Sequence, residues 1–152
     1  MQLKFETKVL APVAEVVEGF NETLFKALSP PFPPVKLRRF DGSRTGDIVS
    51  LELNFILFRQ RWTSEITYHE ATDSAFVFVD EGRELPFFLK FWKHRHSIVR
   101  DDDGHTCIVD DITYRAPYGW LSVLLYPVLF LQFWYRKPIY RRFFGKPQAS
   151  SG

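Results

Sequence analysis

Cysteine occurs once in the 152 residues, at Cys107. A single thiol excludes an intramolecular disulfide framework and the zinc sites that are built from cysteine clusters. The chain also has no large excess of positive or negative charge. It contains 20 lysines and arginines and 18 aspartates and glutamates, which gives a net charge of +2. Proteins dedicated to nucleic acids carry a strongly basic face, so this balance argues against that class.

The start of the chain lacks the apolar stretch of a signal peptide, because residues 1–10 alternate apolar and polar side chains and carry charge. We therefore expect a strand here and no secretion. Pro12 suits the first turn of a helix, and Asn21 can cap a second short helix. The prolines between Pro30 and Pro34 end all helix, since proline removes a backbone donor and disfavours the helical conformation before it.

Aromatic residues are the class in excess, at 17% with 16 phenylalanines. The charged fraction of 25% and the apolar fraction of 45% are ordinary for a globular protein and exclude wholesale disorder. A chain of this length is typical of one domain. So many large side chains indicate an oversized core, a lined cavity or an apolar contact surface.

The middle of the chain, residues 35–114, alternates with a period of two between turn signals. We expect a hairpin at Asp41-Gly42, a long strand from Gly46 to Leu57, a turn at Glu81-Gly82 and a hairpin tip at 101–104. Two-sided patterning with short turns predicts an antiparallel sheet of about six to seven strands with one face in water.

The C-terminal part changes at Pro117 and Gly119 to a long helix that runs to about Phe144. We expect residues 146–152 to form a flexible tail, so that a single domain spans 1–145. Two short helices, an antiparallel sheet and one long final helix predict an α+β fold. A strongly curved sheet wrapped on a long helix would leave a space between them.

This order of elements resembles the helix-grip fold of the START-like, polyketide-cyclase and plant-allergen superfamily (SRPBCC), over Leu3 to Phe144. The local features similar to its small bacterial members are the proline-rich loop after the second helix, Gly46 before the long strand, Pro86-Phe87, the run Trp92-Lys93-His94-Arg95-His96, and the spacing of Asp110, Tyr114 and Pro117. The resemblance implies a hydrophobic cavity between the sheet and the last helix. It implies no single activity, because that architecture hosts lipid transfer, aromatic-ring cyclisation, hydrolysis and plain binding.

The apolar strand faces and the last helix supply the candidate ligand contacts. Sites for small molecules are mainly apolar and aromatic with few polar groups, although a packed core explains any single such residue more simply. The candidate ligand-binding residues are Leu51, Leu53, Phe55, Trp62, Ile66, Tyr68, Phe76, Phe78, Trp92, His94, His96, Tyr114, Leu121, Leu125 and Val128.

Three ionisable residues share predicted inner faces: His94 and His96 on one strand and Asp110 on its neighbour. Burial of these groups is costly unless they pair, so we expect a hydrogen bond between histidine and aspartate. The three residues are candidates for a structural polar cluster, for a polar anchor of a ligand head group, or for acid–base catalysis. Two histidines and a carboxylate can also hold zinc, but the sequence shows no metal-ligand spacing motif and we predict no metal.

The most unusual segment is 116–135, twenty residues without a charge, followed by a basic and aromatic stretch to Lys146. Its length suits a membrane span, but Pro117, Gly119 and Pro127 and the need to cover the sheet favour a covering helix. Leu121, Leu125, Val128, Gln132, Tyr135 and Ile139 form the predicted covering stripe. The remaining apolar residues indicate a peripheral membrane contact or a dimer interface, with Trp134, Arg136, Lys137, Arg141 and Arg142 as the membrane-contact residues.

These patterns together predict a protein that binds a lipophilic small molecule, such as a lipid, a quinone or a polyketide-like compound, in an internal cavity. Transfer to or from a membrane surface would fit the basic aromatic end. Two alternatives stay open: a cyclase or dehydratase acting on an aromatic or polyketide-like substrate, and a membrane-proximal interaction module without a cavity. We expect no cofactor, no nucleic acid, a monomer or homodimer, and a cytoplasmic location with or without membrane association.

Overall fold

The alternating segments fold into one antiparallel sheet of seven strands, in a computed structural model that describes residues 1–147. The strand order is β1-β7-β6-β5-β4-β3-β2. The elements are β1 (Gln2–Val9), α1 (Val13–Gly19), α2 (Glu22–Ala27), β2 (Val35–Phe40), β3 (Ile48–Asn54), β4 (Arg59–Ala71), β5 (Ala75–Glu84), β6 (Phe91–Arg100), β7 (Thr106–Arg115) and α3 (Gly119–Phe144). The predicted α+β helix-grip layout is therefore confirmed.

The first strand forms one edge of the sheet, where it pairs with β7. The first and last strands of the chain are therefore neighbours. Its burial alternates along every residue, with Leu3, Phe5, Thr7 and Val9 buried on the inner face. The same period of two places the apolar residues of β6 and β7 on that face. The inner face is the side on which α1 and α3 pack.

A β-bulge at Thr67 changes the face of the residues that follow it on β4. Ile66 pairs with Asp80, but Tyr68 pairs with Val79, so one extra residue lies between the two pairs. Tyr68 consequently lies on the outer face, is 47% exposed and donates a hydrogen bond to Glu70. The prediction that Tyr68 shares the face of Trp62 and Ile66 is wrong.

Two predicted boundaries in the sheet are also wrong. Strand β3 ends at Asn54, and a turn over 55–58, in which Ile56 has a positive φ of 74°, leads into β4. Strand β5 continues through the predicted turn at Gly82 to Glu84. A Cβ on Gly82 would lie 2.4 Å from Cδ2 of Leu85, so this glycine admits a close side chain and does not mark a turn.

Two apolar cores fill the inner side of the sheet. One joins β1, α1, α2 and the C-terminal part of α3, with Val16, Leu24 and Ile98 among its buried residues. The other joins the start of β1, the start of β6 and the middle of α3, and includes Trp92 and Phe133. The residues between these cores along β6 are His94 and His96, so a polar layer separates the two apolar ones.

The long helix α3 packs on β1 and β7 through a stripe that differs from the predicted one. Its buried residues are Ser122, Leu129, Phe133, Ile139, Tyr140 and Phe144. Val128 and Tyr135, two members of the predicted stripe, are 49% and 41% exposed. Polar contacts fix the rotation, since the hydroxyl of Ser122 accepts a hydrogen bond from the backbone N–H of Ala116. The apolar pattern alone cannot choose a side on a helix that is apolar all round.

The helix ends at Gly145, whose positive φ of 87° and N–H bond to the carbonyl of Arg141 close the last turn. The carbonyls of Phe144 and Gly145 then accept hydrogen bonds from Ala11 and Leu10. Most of the predicted tail, 146–152, lies outside the described residues. Among residues 1–147, no helix combines the length and the apolar character of a membrane span.

Candidate functional site

The inner face brings His94, His96 and Asp110 together at the centre of the molecule. In the register of β6 and β7, His96 lies opposite Asp110 and His94 opposite Ile112. All three side chains are buried. His94 Nε2 lies 2.9 Å from Asp110 Oδ1, so the expected histidine–aspartate hydrogen bond is present.

A second carboxylate, Asp80 on β5, completes the cluster. The two imidazole rings lie 3.5 Å apart between centroids, with one carboxylate on each side. His96 Nε2 lies 3.0 Å from Asp80 Oδ2, and His94 Nδ1 lies 3.6 Å from the same oxygen. The indole N–H of Trp92 donates to Asp80 Oδ1 at 3.2 Å. We call these four residues, Asp80, His94, His96 and Asp110, the His–Asp cluster.

Helix α3 contributes two polar side chains to the same place. The hydroxyl of Tyr140 donates to Asp110 Oδ2 at 3.2 Å, and Arg136 Nη1 lies 3.8 Å from Asp110 Oδ1. Both residues lie one turn apart on the buried side of the helix. Arg136 is therefore directed into the protein, and its predicted contact with a membrane is wrong because its charge pairs with Asp110.

Burial and charge pull the pKa values of the cluster in different directions. Burial alone would raise the pKa of Asp110, but the hydrogen bond and charge of His94 and the charge of Arg136 outweigh it and hold this pKa well below its usual range. Asp80 shows the same balance, with a lowered pKa that is due mainly to His96 and His94. Burial, followed by the neighbouring charge of Asp110, raises the pKa of Tyr140. Burial and the adjacent His94 lower the pKa of His96 to about 4.

The low pKa of His96 predicts that the protein loses stability in mild acid. An unfolded histidine has a pKa of about 6.5, so the unfolded chain takes up this proton first and the loss runs from about pH 6.5 to about pH 4. The shift corresponds to about 3 kcal/mol in the free energy of unfolding, measured by urea denaturation between pH 7 and pH 4.5. The two carboxylates act in the same direction below that window, because their depressed pKa values favour folding only while they are ionised.

The matched variants for this pH series are His96→Gln and His105→Gln. His105 lies at the hairpin after β6, outside the cluster. We expect the His96→Gln protein to show a smaller slope of stability against pH, and His105→Gln to keep the slope of the parent. An unchanged slope in His96→Gln would contradict the burial of a neutral imidazole at this position.

Sequence reasoning missed Asp80 and Tyr140, and it assigned Arg136 to a membrane contact instead of to this site. Asp80 follows Phe76 and Phe78 at a spacing of two, so the inner face of β5 predicts it once the strand is extended. Arg136 and Tyr140 lie three and seven residues after Phe133, on one side of the helix. The spacing from Phe133 could have indicated these two residues, but the predicted covering stripe lies on a different side of the helix.

By burial, the predicted ligand contacts other than His94 and His96 divide into three groups. The buried residues are Leu53, Ile66, Phe78, Trp92 and Tyr114. The half-buried residues are Leu51, Phe55, Trp62, Phe76, Leu121 and Leu125. Phe55 lies in the turn after β3, where it stacks on Phe58. Tyr68 and Val128 are exposed. The half-buried residues of β3 and β4 are the part of the inner wall that α3, which packs on β1 and β7, leaves least covered.

The other side of α3 is a continuous exposed surface of large apolar residues. We call this surface, together with Arg141 and Arg142 at its C-terminal end, the outer face of α3. Its apolar residues are Trp120, Val123, Leu124, Val128, Leu131, Trp134 and Tyr135. Trp120 and Trp134 are 66% and 57% exposed. Residues at these positions fall within one side of a helix of 3.6 residues per turn. Exposed apolar patches of this extent mark sites of interaction.

Two open grooves flank this helix. One of about 540 Å³ lies between β1 and α3 and is lined by Lys4, Phe5, Glu6, Phe130, Trp134 and Lys137. The other, of about 690 Å³, has a mainly apolar floor with basic side chains and is lined by Leu131, Trp134, Tyr135, Lys137, Pro138, Arg141 and Lys146. Neither groove lies on the inner wall of β3 and β4, where the sequence predicts the ligand cavity.

One end of the sheet also exposes apolar side chains. The turns after β3 and β5, the proline-rich loop before β2 and the entry to α3 all lie at this end, as the strand register requires. Their exposed residues are Phe32, Ile56, Leu57, Phe58, Phe87, Tyr118 and Trp120. This apolar end adjoins the N-terminal part of the outer face of α3, since Trp120 belongs to both.

No protein-family model matches the chain, and no curated protein matches it in sequence. Solved structures do match it in three dimensions. Protein Ms6760 from Mycobacterium smegmatis has a TM-score of 0.68 and 18% identity, over 97% of this chain and 93% of that one. An aromatase/cyclase from Streptomyces sp. R1128 has a TM-score of 0.66 and 17% identity, over 100% and 98%. Norcoclaurine synthase from Thalictrum flavum, as a point mutant, has a TM-score of 0.65 and 11% identity, over 94% and 93%.

Proposed function

The chain has the helix-grip fold of the START-like superfamily, and from this premise we propose that it binds a lipophilic molecule that it exchanges with an anionic membrane surface. The observation that carries the proposal is the outer face of α3, which exposes seven large apolar side chains beside basic ones. Folds of this kind host many activities, so the proposal depends on these residues and not on the fold alone.

The apolar part of the outer face suits the boundary between lipid head groups and acyl chains. Helices that lie in this boundary combine aromatic and aliphatic residues on one side with basic residues beside them. Trp120 and Trp134 occupy opposite ends of the exposed stretch, and indole rings favour this depth of a membrane. Leu57 and Phe87 at the apolar end of the sheet supply further exposed side chains that can enter the same layer.

The charge on the C-terminal part of α3 has one sign. No aspartate or glutamate follows Asp111 in the chain, whereas Lys137, Arg141 and Arg142 all lie on this part of the helix. Lys137 and Arg141 line the larger groove together with Trp134. Each basic residue near an anionic membrane contributes about 1 kcal/mol to binding, which favours acidic lipids over neutral ones.

The lipophilic molecule would lie on the inner wall formed by β3 and β4. Leu51 and Trp62 are cross-strand partners there and stay half-buried. In this proposal the molecule enters from the apolar end of the sheet and moves along this wall. Transfer of apolar area out of water, at about 25 cal/mol per Å², provides the driving force. The His–Asp cluster lies next to this wall through the contact between Trp62 and Trp92 and can orient a polar group.

A cyclase or dehydratase is the second candidate, and one observation favours it. His96 is neutral at pH 7 because its pKa is about 4, and its Nδ1 atom has no hydrogen-bond partner among the described residues. A histidine nitrogen without a hydrogen-bond partner is a candidate proton acceptor, although a pKa of about 4 makes His96 a weak base at pH 7. Turnover of an aromatic substrate that is lost in His96→Gln, with binding retained, would favour this function over simple transport.

The proposed membrane contact predicts selective binding to acidic vesicles. We expect the protein to sediment with vesicles of phosphatidylcholine and phosphatidylglycerol far better than with phosphatidylcholine alone. Reversing two charges in Arg141→Glu/Arg142→Glu should weaken this binding by at least about tenfold, since each charge contributes about 1 kcal/mol. Vesicle co-sedimentation at low salt measures both effects.

The matched control is Lys93→Glu/Arg95→Glu. This variant makes the same change in net charge at two exposed residues on the outer face of the sheet. We expect it to keep most of the binding to acidic vesicles. Equal losses in both double variants, or no binding by the parent protein, would contradict the assignment of the outer face of α3 as the contact.

A further inference from the structure

We infer that Asp80, His94 and His96 form a binding site for a divalent transition-metal ion, with zinc as the best fit. Each residue offers one ligand atom, and these atoms lie within 4.8 Å of one another. Two imidazole nitrogens and a carboxylate oxygen are ligands that Zn²⁺ prefers. The inference is independent of the proposed membrane contact, because it uses none of the residues of the outer face of α3.

The distances within the cluster match those around a tetrahedral ion. Metal–ligand bonds of 2.0–2.1 Å place neighbouring tetrahedral ligands about 3.3 Å apart. Asp80 Oδ2 lies 3.0 Å from His96 Nε2 and 3.6 Å from His94 Nδ1, so the observed distances bracket this value. The third pair, His94 Nδ1 and His96 Nε2, lies within 4.8 Å, and an ion centred between the three atoms would bring this pair to a similar separation.

The surrounding groups are those that support a metal site. A ligating histidine commonly donates its other ring N–H to a carboxylate, which fixes the ring and raises its basicity. With Nδ1 of His94 toward the ion, Nε2 remains 2.9 Å from Asp110 Oδ1 and can donate to it. The indole N–H of Trp92 holds the second oxygen of Asp80 at 3.2 Å, leaving Oδ2 for the ion. Asp110 is in turn held by Tyr140 and Arg136.

The charge and the burial of the His–Asp cluster also favour a bound cation. A histidine must be neutral to bind a metal ion. In that state Arg136 pairs with Asp110, whereas Asp80 has no lysine or arginine partner in the described part of the chain. A divalent ion offsets the remaining negative charge in a place where burial makes it costly. His96 is buried, and with its Nε2 atom toward the ion its Nδ1 atom lies 3.5 Å from Asp110 Oδ1. Three protein ligands leave a fourth position, which suits a water molecule or an oxygen of a bound compound.

The test is titration of chelator-treated protein with Co²⁺ and Zn²⁺ in the absence of any lipid. We expect one equivalent of Co²⁺ to produce the visible absorption bands of a tetrahedral site, and one equivalent of Zn²⁺ to displace it. Asp80→Asn and His96→Gln should each abolish the bands. Asp110→Asn, a change in a positioning residue, should keep the bands and weaken affinity by about 10–100-fold. Asp80 is 16% exposed at its side chain, so its amide variant is the one most able to retain the fold.

The matched control is Asp103→Asn/His105→Gln. These residues lie with Asp101 in the hairpin between β6 and β7, the other group of potential ligands among the described residues. We expect this variant to bind Co²⁺ like the parent. Absence of the tetrahedral bands in the parent, or their loss in the hairpin variant and survival in a folded Asp80→Asn protein, would overturn the inference. Circular dichroism of each metal-free variant shows that it is folded.

Discussion

Replacing Asp110 with alanine is expected to lower the free energy of unfolding by about 3–5 kcal/mol, the usual cost of removing one partner from a buried ion pair. The carboxylate lies at the centre of the polar layer and contacts His94, Tyr140 and Arg136. Its removal leaves the half-buried guanidinium of Arg136 without its partner. It also leaves the hydroxyl of Tyr140, which is fully buried, without its acceptor. Urea denaturation at pH 7, monitored by tryptophan fluorescence, measures the change.

The adjacent aspartate provides the matched control for this change. Asp111 faces the other side of β7, where it accepts a hydrogen bond from the amide of Gln2 at the surface. Replacement of a surface residue of this kind usually changes stability by less than about 0.5 kcal/mol. Equal stability losses in Asp110→Ala and Asp111→Ala would show that the polar layer does not hold α3 on the sheet.

Phe133→Ala is the second change with a large expected effect, again about 3–5 kcal/mol in the free energy of unfolding. The ring is buried against Trp92 and Phe5, at centroid distances of 6.1 and 6.2 Å. The guanidinium carbon of Arg136 lies 4.3 Å above it, and His94 meets its face edge-on at 5.1 Å. Loss of the ring therefore opens a cavity in the second core and removes a wall of the His–Asp cluster.

For Trp134, the next residue along the helix, we expect only a small effect. Trp134 is larger than Phe133 but is 57% exposed on the outer face of α3. We expect Trp134→Ala to leave the urea midpoint within the range of ordinary surface changes, about 0.5 kcal/mol. Comparable losses of stability in the two variants would mean that the rotation of α3 about its axis is not the one described.

Regular strands allowed the fold and three of the four residues of the His–Asp cluster to be predicted from the sequence. An uninterrupted alternation along β6 and β7 placed His94, His96 and Asp110 on one face. Where the backbone departs from regularity, the alternation misleads. The bulge at Thr67 turned Tyr68 outward, because the face of a strand residue depends on every residue counted before it.

The side of α3 that packs on the sheet was harder to predict than the faces of the strands. Apolar residues surround α3, so hydrophobic pattern could not decide which side meets the sheet. The polar residues Ser122, Arg136 and Tyr140 decide it through their contacts with the end and centre of β7. The contacts of Arg136 and Tyr140 with Asp110 join residues distant in sequence, and a single sequence does not reveal them. The surplus of aromatic residues left a core, a cavity and a contact surface open, and several of these side chains on α3 and at the apolar end of the sheet are exposed.

The central claim is that a lipophilic molecule reaches the inner wall of β3 and β4 from a membrane held by the outer face of α3. Photo-crosslinking tests it directly, using acidic vesicles that contain a phospholipid with a diazirine in its acyl chain, followed by mass spectrometry of the digested protein. The account predicts adducts on Trp134 or its exposed neighbours and also on Leu51 or Trp62 of the inner wall. Adducts confined to the outer face of α3, with the inner wall unlabelled, would contradict it and leave a membrane-contact module that carries no ligand.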